Sequence, residues 1–245
     1  MDRLGQNLDK LLSSYGPEDK IKVLPELAVK MISTLEPVHD KGWVHRDIKP
    51  DNFLFEMEGT KNLFLIDFGL AKRFRDPKGN HIPHSGNKTI VGTARYMSIN
   101  AHLGCEQSRR DDLEALGFVF LYWVRGRLPW QGLRVNKKEL HKSVGKQKQE
   151  MSIEELSEGC REVAEYMQYV RGLSFEERPD YDYLRRLFIP DYNSGTERLL
   201  NLKPLRERQV ATLRNKPCEA IQKPQCVRGD LTYPEARVKS RASPA

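Results

Sequence analysis

The sequence predicts a mainly α-helical lobe that carries one small β-hairpin. Three observations point there. A long amphipathic stripe lies near the start, a later segment is apolar nearly all round, and one pair of short strand-like runs is joined by a polar turn. With 245 residues, 38% of them apolar, the chain is long enough to bury a substantial core.

The amphipathic stripe occupies residues 17–42. Leu24, Leu27, Ala28, Met31, Ile32, Leu35 and Val38 recur at the spacing of one helical face. Pro25 is expected near the helix start, and Pro37 is expected to end or kink its last turn, because an interior proline costs about 3 kcal/mol. Residues 53–55 and 63–66 read as two strands with Glu56–Asn62 as their turn. Residues 70–95, rich in Gly, Pro, Asn and His, read as a long loop, and a loop of that length in a compact domain is usually functional. Residues 112–125 are apolar on every side yet too short to cross a bilayer, which places them at the centre of a core. Gly126 and Pro129 stop that helix. The very polar residues 137–150 read as a frayed helix or a loop, residues 153–171 and 179–188 as two further helices, and periodicity fades after about residue 200.

No run of eighteen apolar residues occurs, so no helix is expected to span a membrane. The opening MDRLGQNLDK has no apolar core of a secretory signal. Cys105, Cys160, Cys218 and Cys226 lack metal-finger spacing and read as reduced thiols of a cytoplasmic or nuclear protein. The net charge of +7 is uneven: residues 201–245 hold ten Lys or Arg against four Asp or Glu. That tail reads as a basic, disordered extension of a folded unit at 1–200. No RNA-binding motif or interleaved aromatic accompanies the charge, so a nucleic-acid partner is not expected.

Two motifs carry the chemistry. The first is His45-Arg46-Asp47-Ile48-Lys49-Pro50-Asp51-Asn52; the second, fifteen residues beyond Asn52, is Asp67-Phe68-Gly69. Their order and spacing resemble the catalytic-loop and metal-binding motifs of protein kinases. The resemblance implies ATP as phosphate donor and Mg²⁺ as its partner. Asp47 would orient the proton of the attacking hydroxyl. Lys49 would meet the transferred phosphate as a mobile point charge. Asn52 and Asp67 would supply the hard oxygen ligands that Mg²⁺ prefers. His45 reads as a hydrogen-bonded core histidine, Asp51 as a local hydrogen-bonding residue and Phe68 as a packing residue. Leu54 reads as packing that could also floor the adenine site.

A narrower resemblance follows. Where most protein kinases have Ala-Pro-Glu, this chain has Ser98-Ile99-Asn100, preceded by Gly92-Thr93-Ala94-Arg95-Tyr96 and followed by Glu106-Gln107-Ser108-Arg109-Arg110-Asp111-Asp112. With Leu128-Pro129-Trp130-Gln131-Gly132 and Arg178-Pro179-Asp180-Tyr181, this resembles the casein kinase 1 family over residues 1–190. The resemblance implies that Thr93 sits by Asp47 and Lys49, and that Asp112 anchors the catalytic-loop backbone. Arg95 and the Gly132 N–H would belong to a pocket for acidic or phosphorylated residues of protein substrates. Counting without gaps from Trp130 puts the family's pocket lysine on His141, which is mostly neutral at pH 7; nearby Lys137, Lys138 and Lys142 could compensate. Asn100 replaces the carboxylate that usually pairs with an arginine such as Arg178, so that ion pair is expected to be absent.

Residues 1–5 resemble the hinge that joins the two kinase lobes, with Leu4 against adenine. No Gly-x-Gly-x-x-Gly loop occurs, and Leu27-Ala28-Val29-Lys30 lies within the amphipathic stripe rather than on a strand. The expectation is therefore a kinase-like C-terminal lobe without its β-rich N-terminal lobe, poorly active alone. The alternative is a pseudokinase or scaffold that binds proteins without catalysis.

Overall fold

The computed structural model describes residues 4–57 and 62–192. Helix α1 (Leu8–Ser14) precedes α2 (Pro17–Asp40), and β1 (Trp43–Val44) leads into the catalytic-loop segment. The hairpin β2 (Phe53–Phe55) and β3 (Leu63–Leu65) follows, then β4 (Lys72–Arg73). The remaining helices are α3 (Ile99–His102), α4 (Arg109–Arg125), α5 (Lys137–Glu150), α6 (Ile153–Ser157), α7 (Arg161–Gly172) and α8 (Tyr181–Phe188). The lobe border near residue 200, the basic segment 201–245 and the first three hinge residues lie outside the described residues.

The apolar central segment forms α4, and its Leu113, Leu116, Phe118, Phe120, Leu121 and Trp123 are buried. The helix begins earlier than expected because the Asp111 side chain reaches back to accept the Ser108 N–H at 2.8 Å and caps the first turn. Phe120 packs edge-on against Tyr166 of α7 and Phe188 of α8, and Phe118 against Trp130. The stripe of α2 faces the same core. Both prolines stay inside α2, which runs on to Asp40. Burial of Leu24, Leu27, Ala28, Met31, Ile32 and Leu35 holds the helix across the missing N–H groups.

The hairpin pairs Phe53 with Leu65, Leu54 with Phe64 and Phe55 with Leu63, as its alternation anticipates. Other expectations need correction. The strands β1 and β4 make a second antiparallel pair, so part of the 70–95 loop is strand. Residues 137–150 form a regular helix, capped by the Asn136 side chain on the Glu139 N–H. The segment read as one helix at 153–171 is two, because Glu158 and Gly159 both take positive φ and break it. Helix α1, too short to show periodicity, was not foreseen.

Candidate active site

The catalytic loop is held from beneath by one carboxylate. Asp112, in the first turn of α4, accepts the His45 N–H at 2.6 Å and the Arg46 N–H at 2.8 Å. The same carboxylate meets His39 Nε2 of α2 at 3.0 Å, and the other ring nitrogen of His39 meets the Tyr181 hydroxyl of α8 at 2.6 Å. Three helices thus converge on the loop through a buried polar chain. Arg46 takes φ of 67°, a costly conformation that persists because its N–H and side chain are both committed, the latter to the Leu70 carbonyl at 2.6 Å. The His45 side chain is buried and reaches the Ile66 carbonyl at 2.9 Å, a structural contact between the loop and the end of β3.

The loop and the later segment then meet at Asp47. Its Oδ1 accepts the Thr93 N–H at 2.9 Å and the Thr93 hydroxyl at 2.7 Å, while its Oδ2 accepts Lys49 Nζ at 2.6 Å. Asn52 donates its amide to the Asp47 carbonyl at 2.9 Å, which orients the amide oxygen. Burial would raise the Asp47 carboxyl, but the donors Lys49 and Thr93 outweigh it and hold it below the usual carboxylate range. The approach of the two segments depends on Gly92: at φ of 108°, any Cβ there would lie 2.6 Å from the Arg46 carbonyl oxygen.

Asp67 and Asn52 stand at neighbouring ends of the hairpin, tied by an Ile66 N–H to Asn52 carbonyl bond of 2.9 Å. Asp67 takes a left-handed backbone (φ 63°) that re-aims the chain, and its exposed carboxylate receives only a long 3.4 Å bond from the Gly69 N–H. A carboxylate and an amide oxygen make a donor set suited to a hard cation that keeps water or phosphate as its other ligands. Phe68 is 48% exposed and packs edge-on against the His45 ring. It borders an open apolar groove of about 460 Å³ with Pro37, Val38, Trp43 and Ala71. The segment just after Leu4 runs beside β2, which holds Leu54: Gly5 N–H bonds the Phe55 carbonyl at 2.8 Å, and Asn7 bridges to Leu54. Only glycine fits at position 5, since a Cβ would press on the Glu56 carbonyl.

The residues assigned to an anion pocket are only partly brought together. Arg95 is exposed, its guanidinium 5.7 Å from the Tyr96 ring and 5.8 Å from that of Tyr122. Its carbonyl accepts from the Trp130 indole at 2.8 Å, which ties it to the turn of Gly132, itself exposed at φ of 81°. His141 instead stacks toward His102, ring centres 5.7 Å apart. The α5 side chain that reaches the 94–97 segment is Lys148, which the ungapped count passed over. Fully buried, it donates to the carbonyls of Ala94 at 3.0 Å and Met97 at 2.7 Å, with Phe118 and Trp130 rings about it. Burial pulls its ammonium pKa well down, against the opposing pull of Glu114. Its spacing from Leu140 and Val144 marks one face of α5, a signal masked by the helix's polar composition. Arg178, without its usual carboxylate, pairs with Glu36 at 3.4 Å and Asp40 at 3.2 Å on α2.

Residues 4–182 match the protein kinase domain family. The chain is similar to casein kinase I homolog 3 of Schizosaccharomyces pombe, with 48% identity over 194 residues, and to casein kinase I homolog 2 of the same yeast, with 49% over 194. Casein kinase I homolog 1 of Saccharomyces cerevisiae shows 47% identity over 195 residues. These alignments cover 77% of this chain but 44%, 45% and 36% of the relatives, so the chain spans less than half of each. The chain belongs to the protein kinase family, on its casein kinase I branch.

Proposed function

We propose that the described residues form the acceptor-binding and metal-positioning half of a serine/threonine protein kinase, which moves the terminal phosphate of ATP to protein hydroxyls. The observation that carries this reading is the Asp47 carboxylate fixed between Lys49 and Thr93 on a loop clamped by Asp112. Phosphoryl transfer passes through a loose, highly charged transition state, so positioning and charge neutralisation do most of the work. Asp47 stays ionised at neutral pH and accepts a hydrogen bond from the incoming hydroxyl, aligning it more than deprotonating it. Lys49 stands one hydrogen bond away, where its ammonium meets the group being transferred. Thr93 keeps the carboxylate from turning aside. Asp67 and Asn52 would hold Mg²⁺, which when bound neutralises phosphate charge. Leu4 and Leu54 would form the apolar floor under adenine.

For the acceptor protein, we assign recognition of acidic or phosphorylated residues to Arg95 with the Gly132 N–H, because a guanidinium pairs with oxyanions at two points. His141, turned to His102, contributes least. Cys105 and Cys160 are free thiols, in keeping with a proposed cytoplasmic or nuclear location. One observation favours a second reading, a docking scaffold: the exposed Phe68 beside its apolar groove.

The test is a fusion of a casein kinase I N-terminal lobe to residues 1–245, assayed with Mg²⁺-ATP and Ser peptides. Asp47→Asn should lower turnover about 10²–10⁴-fold. Arg95→Ala should weaken acidic peptides more than neutral ones. Equal loss for both peptides removes the anion-pocket assignment, and an inactive parent fusion favours the scaffold.

A further inference from the structure

The 72–92 segment must be held in place for Thr93 to reach Asp47, and one carboxylate outside the two catalytic motifs lies at its centre. Glu106, just before α4, is buried, and both of its oxygens are used. Oε1 meets Lys72 Nζ at 2.8 Å and Oε2 meets Lys88 Nζ at 3.4 Å. Its own N–H bonds the Ser85 carbonyl at 2.7 Å, and the Lys88 N–H bonds the Gly104 carbonyl at 2.8 Å. Next to it, Gln107 Nε2 reaches the Val91 carbonyl at 3.4 Å. Both ends of the segment are therefore stitched to the residues around Glu106.

Arg46 of the catalytic loop also feels the Glu106 charge. Burial lowers its pKa, and the two carboxylates that oppose this are Glu106 and Asp112. Arg46 also holds the Leu70 carbonyl, two residues before Lys72. Without Glu106, Lys72 and Lys88 would lose the carboxylate that both meet, and Asp112 is already committed to the loop backbone. The two lysines would then repel, by an amount that solvent reduces because both are partly exposed. In other kinases this kind of segment is ordered by a phosphate that pairs with basic residues. Here the negative charge is a side chain of the chain itself.

We propose that Glu106 is a positioning residue for phosphoryl transfer: an internal counter-ion that gathers Lys72 and Lys88 and so keeps the 72–92 segment where Thr93 can grip Asp47. The catalytic part of this statement rests on the kinase reading above; the positioning part does not. Lys72 and Lys88 are partly exposed and can turn to water when Glu106 is removed. The effect of losing Glu106 is therefore expected in the segment, while α4 keeps its apolar packing.

Hydrogen exchange on residues 1–245 separates the two parts because it needs no activity. In Glu106→Ala and Glu106→Gln, amides of Lys88 and Thr93 should exchange at least about 10-fold faster, while amides of α4 keep their protection. Added formate or inorganic phosphate, but not chloride at equal ionic strength, should slow exchange again in Glu106→Ala by occupying the vacated cation cluster. In the fusion kinase, Glu106→Gln should lower kcat with the KM for ATP little changed. Unchanged exchange at Lys88 and Thr93 would overturn the proposal. So would loss of protection across α4 in both variants, which would make Glu106 a residue of the fold at large. Exchange as expected in a fusion that never turns over would keep the positioning role and count against the kinase reading alone.

Discussion

Asp47 and Asp67 carry the same side chain twenty residues apart, yet the chain treats them in opposite ways. Asp47 is buried, and its carboxylate is gripped by a lysine, a threonine hydroxyl and a backbone N–H. Asp67 is exposed and has one long bond to a neighbouring N–H. The contrast extends outward from each. Behind Asp47, the chain Asp112–His39–Tyr181 joins α4, α2 and α8. Around Asp67, Phe68 and Phe64 present exposed rings and an apolar groove stands open. The Asp47 side is organised by the chain's own interior, whereas the Asp67 side is left open to solvent. Preorganisation of the first kind is what a positioning mechanism requires.

The largest stability effect should come from the interior. Asp112→Ala would leave two buried N–H groups and His39 without their acceptor, and should cost about 3–5 kcal/mol in denaturant unfolding of residues 1–245. A loss below about 1 kcal/mol would mean that the loop is held by something else. The matching change on the other side, Asp67→Asn, should shift stability by no more than about 0.5 kcal/mol, since it removes one weak exposed bond. A cost above about 2 kcal/mol would erase the contrast.

The smallest effect is a pH slope. Burial, with Lys148 and His141 nearby, pulls the His102 imidazole down to about 3. The unfolded histidine titrates at about 6.5, so between these values the unfolded state takes up a proton that the folded state refuses. Stability contributed by neutral His102 is thus present above about pH 6.5 and is lost as pH falls. Asp111 works the other way: burial pushes it up to about 6, so the cost of ionising it inside the fold fades as pH drops from 6 toward 4. His102→Asn removes only the first contribution. Its Tm should therefore improve relative to the parent as pH falls from 6.5 to 4. A constant difference across that range would show that His102 titrates as an ordinary surface histidine.

Much of the candidate site's placement was legible in the sequence because motif spacing ties Asp47, Asn52 and Asp67 to one loop and one hairpin, and because α4 is too apolar to lie anywhere but the core. What escaped depends on distant partners. His39 and Tyr181 join Asp112, whose anchoring of the loop the family resemblance implied, from positions that no local pattern connects. Lys148 reads as one more surface lysine in a polar helix, and only the packing of α5 against α3 turns it inward to the 94–97 carbonyls. Glu158 is no turn marker, yet its positive φ splits a helix. The two-residue strands β1 and β4 are too short to alternate.

The central claim, that these residues build the acceptor side but do not by themselves enclose a nucleotide, is tested most directly by phosphate transfer. Purified residues 1–245 and the N-terminal-lobe fusion should be assayed side by side with Mg²⁺-ATP and an acidic Ser peptide. The sequence of residues 1–245 holds no Gly-x-Gly-x-x-Gly loop to cover the phosphates, and loss of one preorganised charge-stabilising group costs about 10²–10³ in rate. The account predicts turnover at least about 10³-fold higher in the fusion. Comparable turnover by residues 1–245 alone, abolished by Asp47→Asn, would contradict it.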